Sequence, residues 1–221
     1  MTFQNRADAG AELAQKLQHL KNAKNLLVLG LPRGGVVTAV EIAHALHAPL
    51  DVIICRKIGA PGNEEFAIGA ISENGGLFLN QDVIAAYGIS KSYIDATIAR
   101  ETKKIAKYQQ AFRGEAKPPS LKNKTVVIAD DGAATGYTLK AAIDTVRKCK
   151  PAKIIVALPV APPGTAEKLQ NLADETIILE TPPHFQAVGQ FYAEFSQVET
   201  DEVQKILKNA TRFDWERCIN F

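Results

Sequence analysis

Residues 126–139, VVIADDGAATGYTL, run from four apolar residues into two adjacent carboxylates, then into small residues and a helix-like pattern. An apolar run without alternation is typical of a parallel β-strand that is covered on both faces. The small residues leave backbone N–H groups uncovered, and a helix that begins just after them directs the positive end of its dipole to the same place. The stretch therefore predicts a strand, an anion-binding turn and a helix, with Asp130 and Asp131 where the strand ends.

Other apolar runs of strand length accompany this one, and helical patterns separate them. The predicted strands are 26–29, 52–55, 126–129, 154–158 and 176–179. The predicted helices between them are 7–20, 36–46, 138–148 and 164–172. Strands that alternate with helices predict an α/β fold with an open, mainly parallel five-stranded sheet, helices on both faces and right-handed crossovers.

Three segments depart from this alternation. Asn74-Gly75-Gly76 lies between two short β-like runs and predicts a small antiparallel hairpin insertion. Residues 90–112 form a long amphipathic pattern that Gly114 ends, which predicts a helix. Residues 181–221, rich in aromatics and proline, are expected to form a C-terminal hood and tail, with Trp215 as the anchor of the tail.

Composition places few limits on function. The 221 residues are 46% hydrophobic and 23% charged, which predicts one folded domain over residues 1–221. With 26 basic and 24 acidic residues, the net charge of +2 gives no reason to expect a nucleic-acid or membrane partner. No secretory signal or long apolar run is apparent, so a soluble, cytoplasmic protein is expected. The three cysteines suit neither a disulfide framework nor a paired metal motif, and reduced thiols are expected.

The carboxylate pair predicts a ligand as well as a fold. Open parallel sheets bind ligands beyond the carboxyl ends of their strands, where Asp130 and Asp131 lie. Carboxylates accept hydrogen bonds from vicinal hydroxyls and can share a divalent cation, while the small residues suit a phosphate. A phosphorylated sugar is therefore the expected ligand. The alternative without a ligand is an Asp131-Gly132 turn with an Asp or Thr helix cap.

A second glycine-rich loop, from Gly30 to Gly35, follows the first predicted strand. It fits neither the P-loop nor the dinucleotide-binding pattern. Arg33 and the exposed N–H groups of the glycines that follow would suit a second anion. A glycine-rich turn with a solvated arginine is the alternative.

The motif VVIADDGAATGYT resembles the signature of type I phosphoribosyltransferases, which bind 5-phosphoribosyl-1-pyrophosphate (PRPP). The resemblance implies that Asp130 and Asp131 hold the ribose hydroxyls. It implies that the 5-phosphate is bound by Gly132, Ala133, Ala134, Thr135, Gly136 and Thr138. The position of the second loop implies that the pyrophosphate is bound by Pro32, Arg33, Gly34, Gly35, Arg56 and Lys57. Similar enzymes close a mobile loop over PRPP, and residues 59–65 are expected to form it.

Four further segments extend the resemblance over essentially the whole chain. They are NRADAGAELAQKL, LPRGGVVTA, RKIGAPGNEEFAIGAI and AVGQFYAEFSQVETDEV, and they resemble a group of predicted phosphoribosyltransferases without a settled substrate. The implied reaction transfers 5-phosphoribosyl to a nitrogen acceptor, a nucleobase or related amine, and releases pyrophosphate. Mg²⁺ would be held indirectly by Asp130 and Asp131 through PRPP, with Lys57 and Arg33 as the other catalytic residues. A homodimer is also implied.

The acceptor is less determined than the donor. In the 6-oxopurine enzymes of this family an Asp precedes the signature Thr-Gly, whereas this chain has Ala134, which disfavours hypoxanthine and guanine. Candidates for a hood over the base are the aromatic residues Phe185, Phe191 and Tyr192, with His184 and Phe195 nearby. The alternative function is a non-catalytic regulator of the same fold that binds PRPP or a nucleotide.

Overall fold

The computed structural model describes residues 2–211, without the side chains of residues 65 and 211. Its helices are α1 Arg6–Lys16, α2 Gly34–Leu46, α3 Gln81–Ala86, α4 Lys91–Arg113, α5 Tyr137–Lys148, α6 Pro163–Gln170 and α7 Thr200–Thr211. Its strands are β1 Leu26–Gly30, β2 Leu50–Val52, β3 Cys55–Ala60, β4 Asn63–Ser72, β5 Leu77–Leu79, β6 Thr125–Ala129, β7 Lys153–Val160 and β8 Glu175–Glu180. Within these residues no helix combines the length and apolar character needed to cross a bilayer.

The main sheet has five parallel strands in the order β2-β1-β6-β7-β8, which confirms the predicted fold class. Successive residues of each strand point to opposite faces, so Leu26 and Val28 pack with α1, α2 and α7, while Leu27 and Leu29 pack with α5 and α6. Every residue of β1 is buried, as the absence of alternation predicted. The sheet is thus the middle layer between two hydrophobic cores.

The direction of the crossovers reverses between β1 and β6. From β1 the chain passes through α2 to β2 on one side, and from β6 it passes through α5 to β7 on the other. In the β1–β6 register Gly30 is the Cα partner of Ala129, so the loops after both strands leave the sheet side by side. Such a topological switch point opens a crevice at the carboxyl ends of the strands.

A separate antiparallel sheet of order β3-β4-β5 is inserted between β2 and α3. The predicted strand 52–55 is wrong as one element, because β2 ends at Val52 and Cys55 already begins β3 in the second sheet. The turn after β4 lies at the predicted Asn74-Gly75, both with positive φ. The expected mobile loop 59–65 is instead the β3–β4 hairpin, which turns at Pro61 and Gly62.

The small sheet packs against the first turns of α5. The Phe78 ring lies 5.2 Å from the Tyr137 ring, between centroids, and Lys140 Nζ lies 4.5 Å from the centre of Phe78. The Asn80 side-chain amide donates to the Tyr137 hydroxyl at 2.6 Å. Tyr137 belongs to the signature stretch, so the same helical turn supports both the glycine loop and the second sheet.

A buried cluster of charges joins α4, β2 and the turn of the small sheet. Arg113 Nε donates to both carboxylate oxygens of Asp51 at 3.1 Å, and Nη1 donates to Glu73 Oε2 at 2.5 Å. The side chains of Arg113 and Glu73 are 9% and 2% exposed. Burial raises the pKa of Asp51 despite the adjacent guanidinium. A single cation therefore balances two buried carboxylates here.

The C-terminal residues divide into two parts, which revises the predicted hood of residues 181–221. Residues 181–199 extend from the end of β8 across the carboxyl edge of the sheet. Helix α7 instead returns to pack against α2, α4 and β2, where Val203 and Leu207 are buried. Trp215 lies outside the described residues, as does Cys218, while Cys55 and Cys149 are free thiols as expected.

Candidate functional site

The two predicted loops meet at the switch point, and the glycines of one lie directly against the carboxylates of the other. A Cβ atom at Gly35 would lie 2.6 Å from Asp130 Oδ1 and 2.8 Å from Asp130 Cα. A Cβ atom at Gly34 would overlap the Asp131 carboxylate. Only glycine permits this approach, so residues distant in sequence form one continuous site.

The variant Gly35→Ala tests this contact directly. We expect it to lower the free energy of unfolding by about 1–3 kcal/mol, since the methyl group must displace the Asp130 backbone. The measurement is urea denaturation. The matched control is Gly164→Ala, because Gly164 is likewise the second residue of its helix but has open space, with no atom within 4 Å, where the added methyl carbon would lie. The control should be neutral or gain up to about 1 kcal/mol of helix propensity. Equal stability of the two variants would contradict the close approach.

Backbone conformation explains the glycines of the signature loop. Gly132 has φ of 149° and Gly136 has φ of 71°, values that side chains disfavour. A Cβ at Gly132 would also lie 2.6 Å from a methyl of Val188, in the segment that crosses the site. The Thr165 hydroxyl donates to the Ala134 carbonyl at 2.7 Å and fixes the middle of the loop.

The helices that begin at the two loops lack side-chain caps. Neither Arg33, which precedes α2, nor Gly136, which precedes α5, caps the helix with its side chain. By contrast α1, α3 and α4 begin with capping side chains from Asn5, Asn80 and Ser90. The alternative in which an Asp or Thr of the signature caps α5 is therefore wrong. The N–H groups of Gly34 and Gly35, and those of the first turn of α5, therefore remain available to anions at one place, while that of Val36 donates to the Arg33 carbonyl.

The two signature carboxylates have different surroundings. Arg6 Nε donates to Asp131 Oδ2 at 2.6 Å, and these side chains are 10% and 16% exposed. The Asp130 carboxylate accepts the backbone N–H of Asp131 at 2.9 Å. Burial and the neighbouring Asp131 charge raise the pKa of Asp130 well above its usual range. The sequence analysis did not identify Arg6, although it lies in a segment that carried the resemblance.

A C-terminal strap, residues 192–199, crosses the site next to this pair. The Tyr192 hydroxyl donates to the Asp131 carbonyl at 2.6 Å, and Arg6 Nη1 donates to the Ser196 carbonyl at 2.8 Å. The Phe195 ring covers the Arg6 guanidinium, with 3.8 Å between Cζ and the ring centre. The strap therefore holds the signature loop through both its backbone and its side chains.

Of the three aromatic residues predicted to cover a base, Tyr192 has a structural role instead. Its ring is buried between Phe3 and Phe195, with centroid distances of 5.5 and 4.9 Å. Phe185 and Phe191 are half-buried and pack against each other at 5.1 Å. These two remain candidates for contact with a planar ligand.

Arg33 extends from the glycine-rich loop toward the end of the strap. The Pro32–Arg33 peptide bond is cis. Arg33 Nη1 donates to Glu199 Oε2 at 3.3 Å, and Gln197 donates to the other oxygen of that carboxylate at 2.7 Å. Glu199 is largely exposed, so this ion pair is weak and an anionic ligand could displace it.

The basic pair at the start of β3 separates onto two faces of the small sheet. Arg56 donates to Glu101 of α4 at 3.1 Å, which removes it from the predicted pyrophosphate set. Lys57 lies on the opposite face of the strand, the face that Cys55 shares with α5. Burial raises the pKa of the Cys55 thiol, and the charges of Glu73 and Asp130 add to this, so this face of β3 lies near the acidic pair. Lys57 thus remains the basic candidate from this strand.

The residues available to a divalent cation are few. Among residues 2–211 there is no group of three or more His, Cys, Asp or Glu side chains that could hold a metal ion. Asp131 is occupied by Arg6, whereas the Asp130 carboxylate has no ion pair among the described residues. These donors would therefore suit Mg²⁺ only if the phosphate oxygens of a ligand and water molecules supplied most of its coordination.

The chain is similar to known proteins over most of its length. The family model of the phosphoribosyl transferase domain matches residues 2–196. A Mycobacterium tuberculosis H37Rv protein provisionally named a phosphoribosyl transferase is 41% identical over 210 residues, which cover 95% of this chain and 47% of that protein. The chain thus spans about half the length of the curated relatives it matches.

A solved structure resembles the chain over nearly its full length. The protein TT1426 from Thermus thermophilus is 40% identical and has a TM-score of 0.78, with 95% of this chain and 99% of that chain covered. The chain belongs to the phosphoribosyl transferase domain family.

Proposed function

We propose that this chain transfers a 5-phosphoribosyl group from PRPP to a nitrogen acceptor and releases pyrophosphate. The contact between the Gly34-Gly35 loop and the Asp130-Asp131 carboxylates is the observation that carries the proposal. It joins acceptors for sugar hydroxyls to two uncapped helix N-termini, and PRPP has hydroxyls flanked by phosphate groups at both ends.

Each part of the site has a separate task in this proposal. The N–H groups of residues 132 and 134–138 bind the 5-phosphate, whereas that of Ala133 donates to the Val160 carbonyl at 3.0 Å, and Asp130 accepts hydrogen bonds from the ribose hydroxyls. The N–H groups of Gly34 and Gly35 bind the pyrophosphate, assisted by Arg33 and Lys57. Because Arg33 lies on a loop packed against the acidic pair, the leaving group and the ribose would occupy neighbouring positions.

The reaction requires charge stabilisation rather than a covalent intermediate. As the bond between C1 and pyrophosphate breaks, negative charge grows on the leaving group and positive charge grows on the ribose ring. Cations and N–H groups on the pyrophosphate side, and the carboxylate of Asp130 near the ring, stabilise these charges. Mg²⁺ bound to PRPP would neutralise part of the phosphate charge. The strap limits the access of water to the ribosyl cation.

The acceptor we propose is a nucleobase or related amine other than a 6-oxopurine. Ala134 is exposed at the middle of the signature loop and offers no side-chain carboxylate to a purine ring. The half-buried pair of Phe185 and Phe191 supplies aromatic surface on the segment that crosses the site. An apolar, planar acceptor with a nucleophilic nitrogen suits these surroundings.

The test is a panel of nucleobases and small amines, each incubated with the protein, PRPP and Mg²⁺ and assayed for pyrophosphate release. We expect release with at least one acceptor, and weaker release or none with hypoxanthine and guanine. PRPP binding without release for every acceptor would overturn catalysis and favour the regulator. The absence of PRPP binding by calorimetry would overturn the proposal altogether.

A further inference from the structure

Arg6 lies at the junction of three parts of the molecule. It is the first residue of α1, it binds Asp131 of the signature loop through Nε, and it binds the Ser196 carbonyl of the strap through Nη1. The flat face of its guanidinium rests on Phe195. A planar cation held by two hydrogen bonds and a ring has little freedom to turn.

This arrangement makes the two carboxylates of the signature unequal. Asp131 Oδ2 accepts a charge-assisted hydrogen bond from a mostly buried cation, and a ligand that drew this oxygen away would break that bond. Releasing it would also leave the Arg6 charge buried without a partner, which is unfavourable. Among the described residues Asp130 forms no ion pair of its own: its carboxyl group accepts the Asp131 backbone N–H and lies within hydrogen-bond reach of the Asp131 carboxyl group.

The strap strengthens the hold on the same residue. The Tyr192 hydroxyl fixes the Asp131 carbonyl while Arg6 fixes its carboxylate, so Asp131 is held at both ends. Burial raises the pKa of the Tyr192 hydroxyl, which therefore remains a donor at all ordinary pH values. Asp130 is held by its backbone N–H, which donates to the Ala157 carbonyl at 3.4 Å, and by its neighbour Asp131, but no cation among residues 2–211 forms an ion pair with it.

We propose that Arg6 is a positioning residue that divides the acidic pair, so that Asp131 is a fixed part of the site and Asp130 is the carboxylate that meets the sugar hydroxyls. The division rests on the proposed function, because it assigns a ligand contact within the same site. It also gives α1 and the strap a role in donor binding, although neither contains a phosphate-binding loop.

A double-mutant cycle on PRPP affinity tests the division, with calorimetry in the presence of Mg²⁺ as the measurement. Arg6→Gln should weaken PRPP binding about tenfold, since Asp131 loses its hold and the site gains net negative charge next to phosphates. Arg6→Lys keeps the charge but not the two-point geometry, and it should recover part of the loss. Adding Asp131→Asn to Arg6→Gln should weaken PRPP binding by less than about threefold further. Adding Asp130→Asn to Arg6→Gln should weaken it further by about tenfold or more.

The control variant removes a different arginine. Arg147→Gln removes another arginine that binds an Asp and a backbone carbonyl, but on the surface at the end of α5, and it should leave PRPP affinity unchanged. The division alone would be overturned if both Arg6 variants bound PRPP with wild-type affinity. It would also be overturned if Asp130→Asn and Asp131→Asn weakened PRPP binding equally in the Arg6→Gln background. If the wild-type protein does not bind PRPP, the proposed function and the division are both overturned.

Discussion

Replacing both signature carboxylates by amides, Asp130→Asn with Asp131→Asn, is expected to lower PRPP affinity by at least about 100-fold while the chain stays folded. Hydrogen bonds to charged groups contribute about 1.5–3 kcal/mol each, so the loss of charged bonds from Asp130 to two ribose hydroxyls exceeds the roughly 2.7 kcal/mol that a 100-fold change represents. The fold should survive because the amides keep the size of the carboxylates and the amide oxygen at position 131 can still accept the hydrogen bond from Arg6 Nε. Burial and the neighbouring Asp131 charge raise the pKa of Asp130, so an amide at this position removes a charge whose burial costs free energy.

Calorimetry with PRPP and Mg²⁺ measures the affinity, and circular dichroism with urea unfolding establishes that the variant is folded. Asp174→Asn is the matched control, since Asp174 also binds an arginine and a backbone N–H. It precedes β8 and therefore lies at the amino edge of the sheet, away from both loops. Unchanged PRPP affinity in the double variant would remove the acidic pair from the site.

The second large effect is expected far from the site, at the buried charge cluster. Arg113→Met should lower the free energy of unfolding by about 3–5 kcal/mol at pH 7, because it leaves Asp51 and Glu73 buried without their cation. Methionine keeps most of the side-chain volume, so the lost charge rather than a cavity dominates. Urea unfolding measures the change.

The pH dependence separates this explanation from a packing defect. Burial already raises the pKa of Asp51 in the wild-type protein, and removing Arg113 should raise it further. A carboxylate whose pKa is raised in the folded state lowers the free energy of unfolding as the pH rises through that pKa. The difference in free energy of unfolding between Arg113→Met and the wild type should therefore be smaller at pH 5 than at pH 7. A deficit that is the same at both pH values would contradict the electrostatic explanation. Arg147→Met, at an exposed ion pair, should cost less than about 1 kcal/mol.

The layers of the fold were predictable because strands covered on both faces have unbroken apolar sequences. The strand prediction 52–55 was wrong for the same reason: an apolar run indicates burial but not which sheet buries it, and here it passes from β2 to β3. Helix α7 was missed although Val203, Leu207 and Ala210 follow a helical spacing, because the surrounding segment was taken as one irregular hood.

The loops of the candidate site were predictable from glycine and carboxylate spacing, whereas the residues that support them were not. Arg6 occupies the first position of an apolar stripe that continues with Ala9, Gly10, Leu13 and Ala14. A charge at such a position needs a buried partner, and this was the available signal. The partner, however, lies on another element, which local spacing cannot reveal. Arg56 and Lys57 illustrate the same limit, since only the placed strand shows that they face apart.

During synthesis, β1 cannot pair with β6 until the long segment between them has been made. Strand β1 pairs along its whole length with β6, yet the ribosome makes the small sheet and α4 before β6 appears. The inserted segment contains mostly local hairpin and helical contacts, which form fast, while the central pairing must wait for a distant strand. The β1 edge that pairs with β6 therefore keeps its backbone N–H and C=O groups unpaired while the middle of the chain is synthesised, and unpaired strand edges favour aggregation.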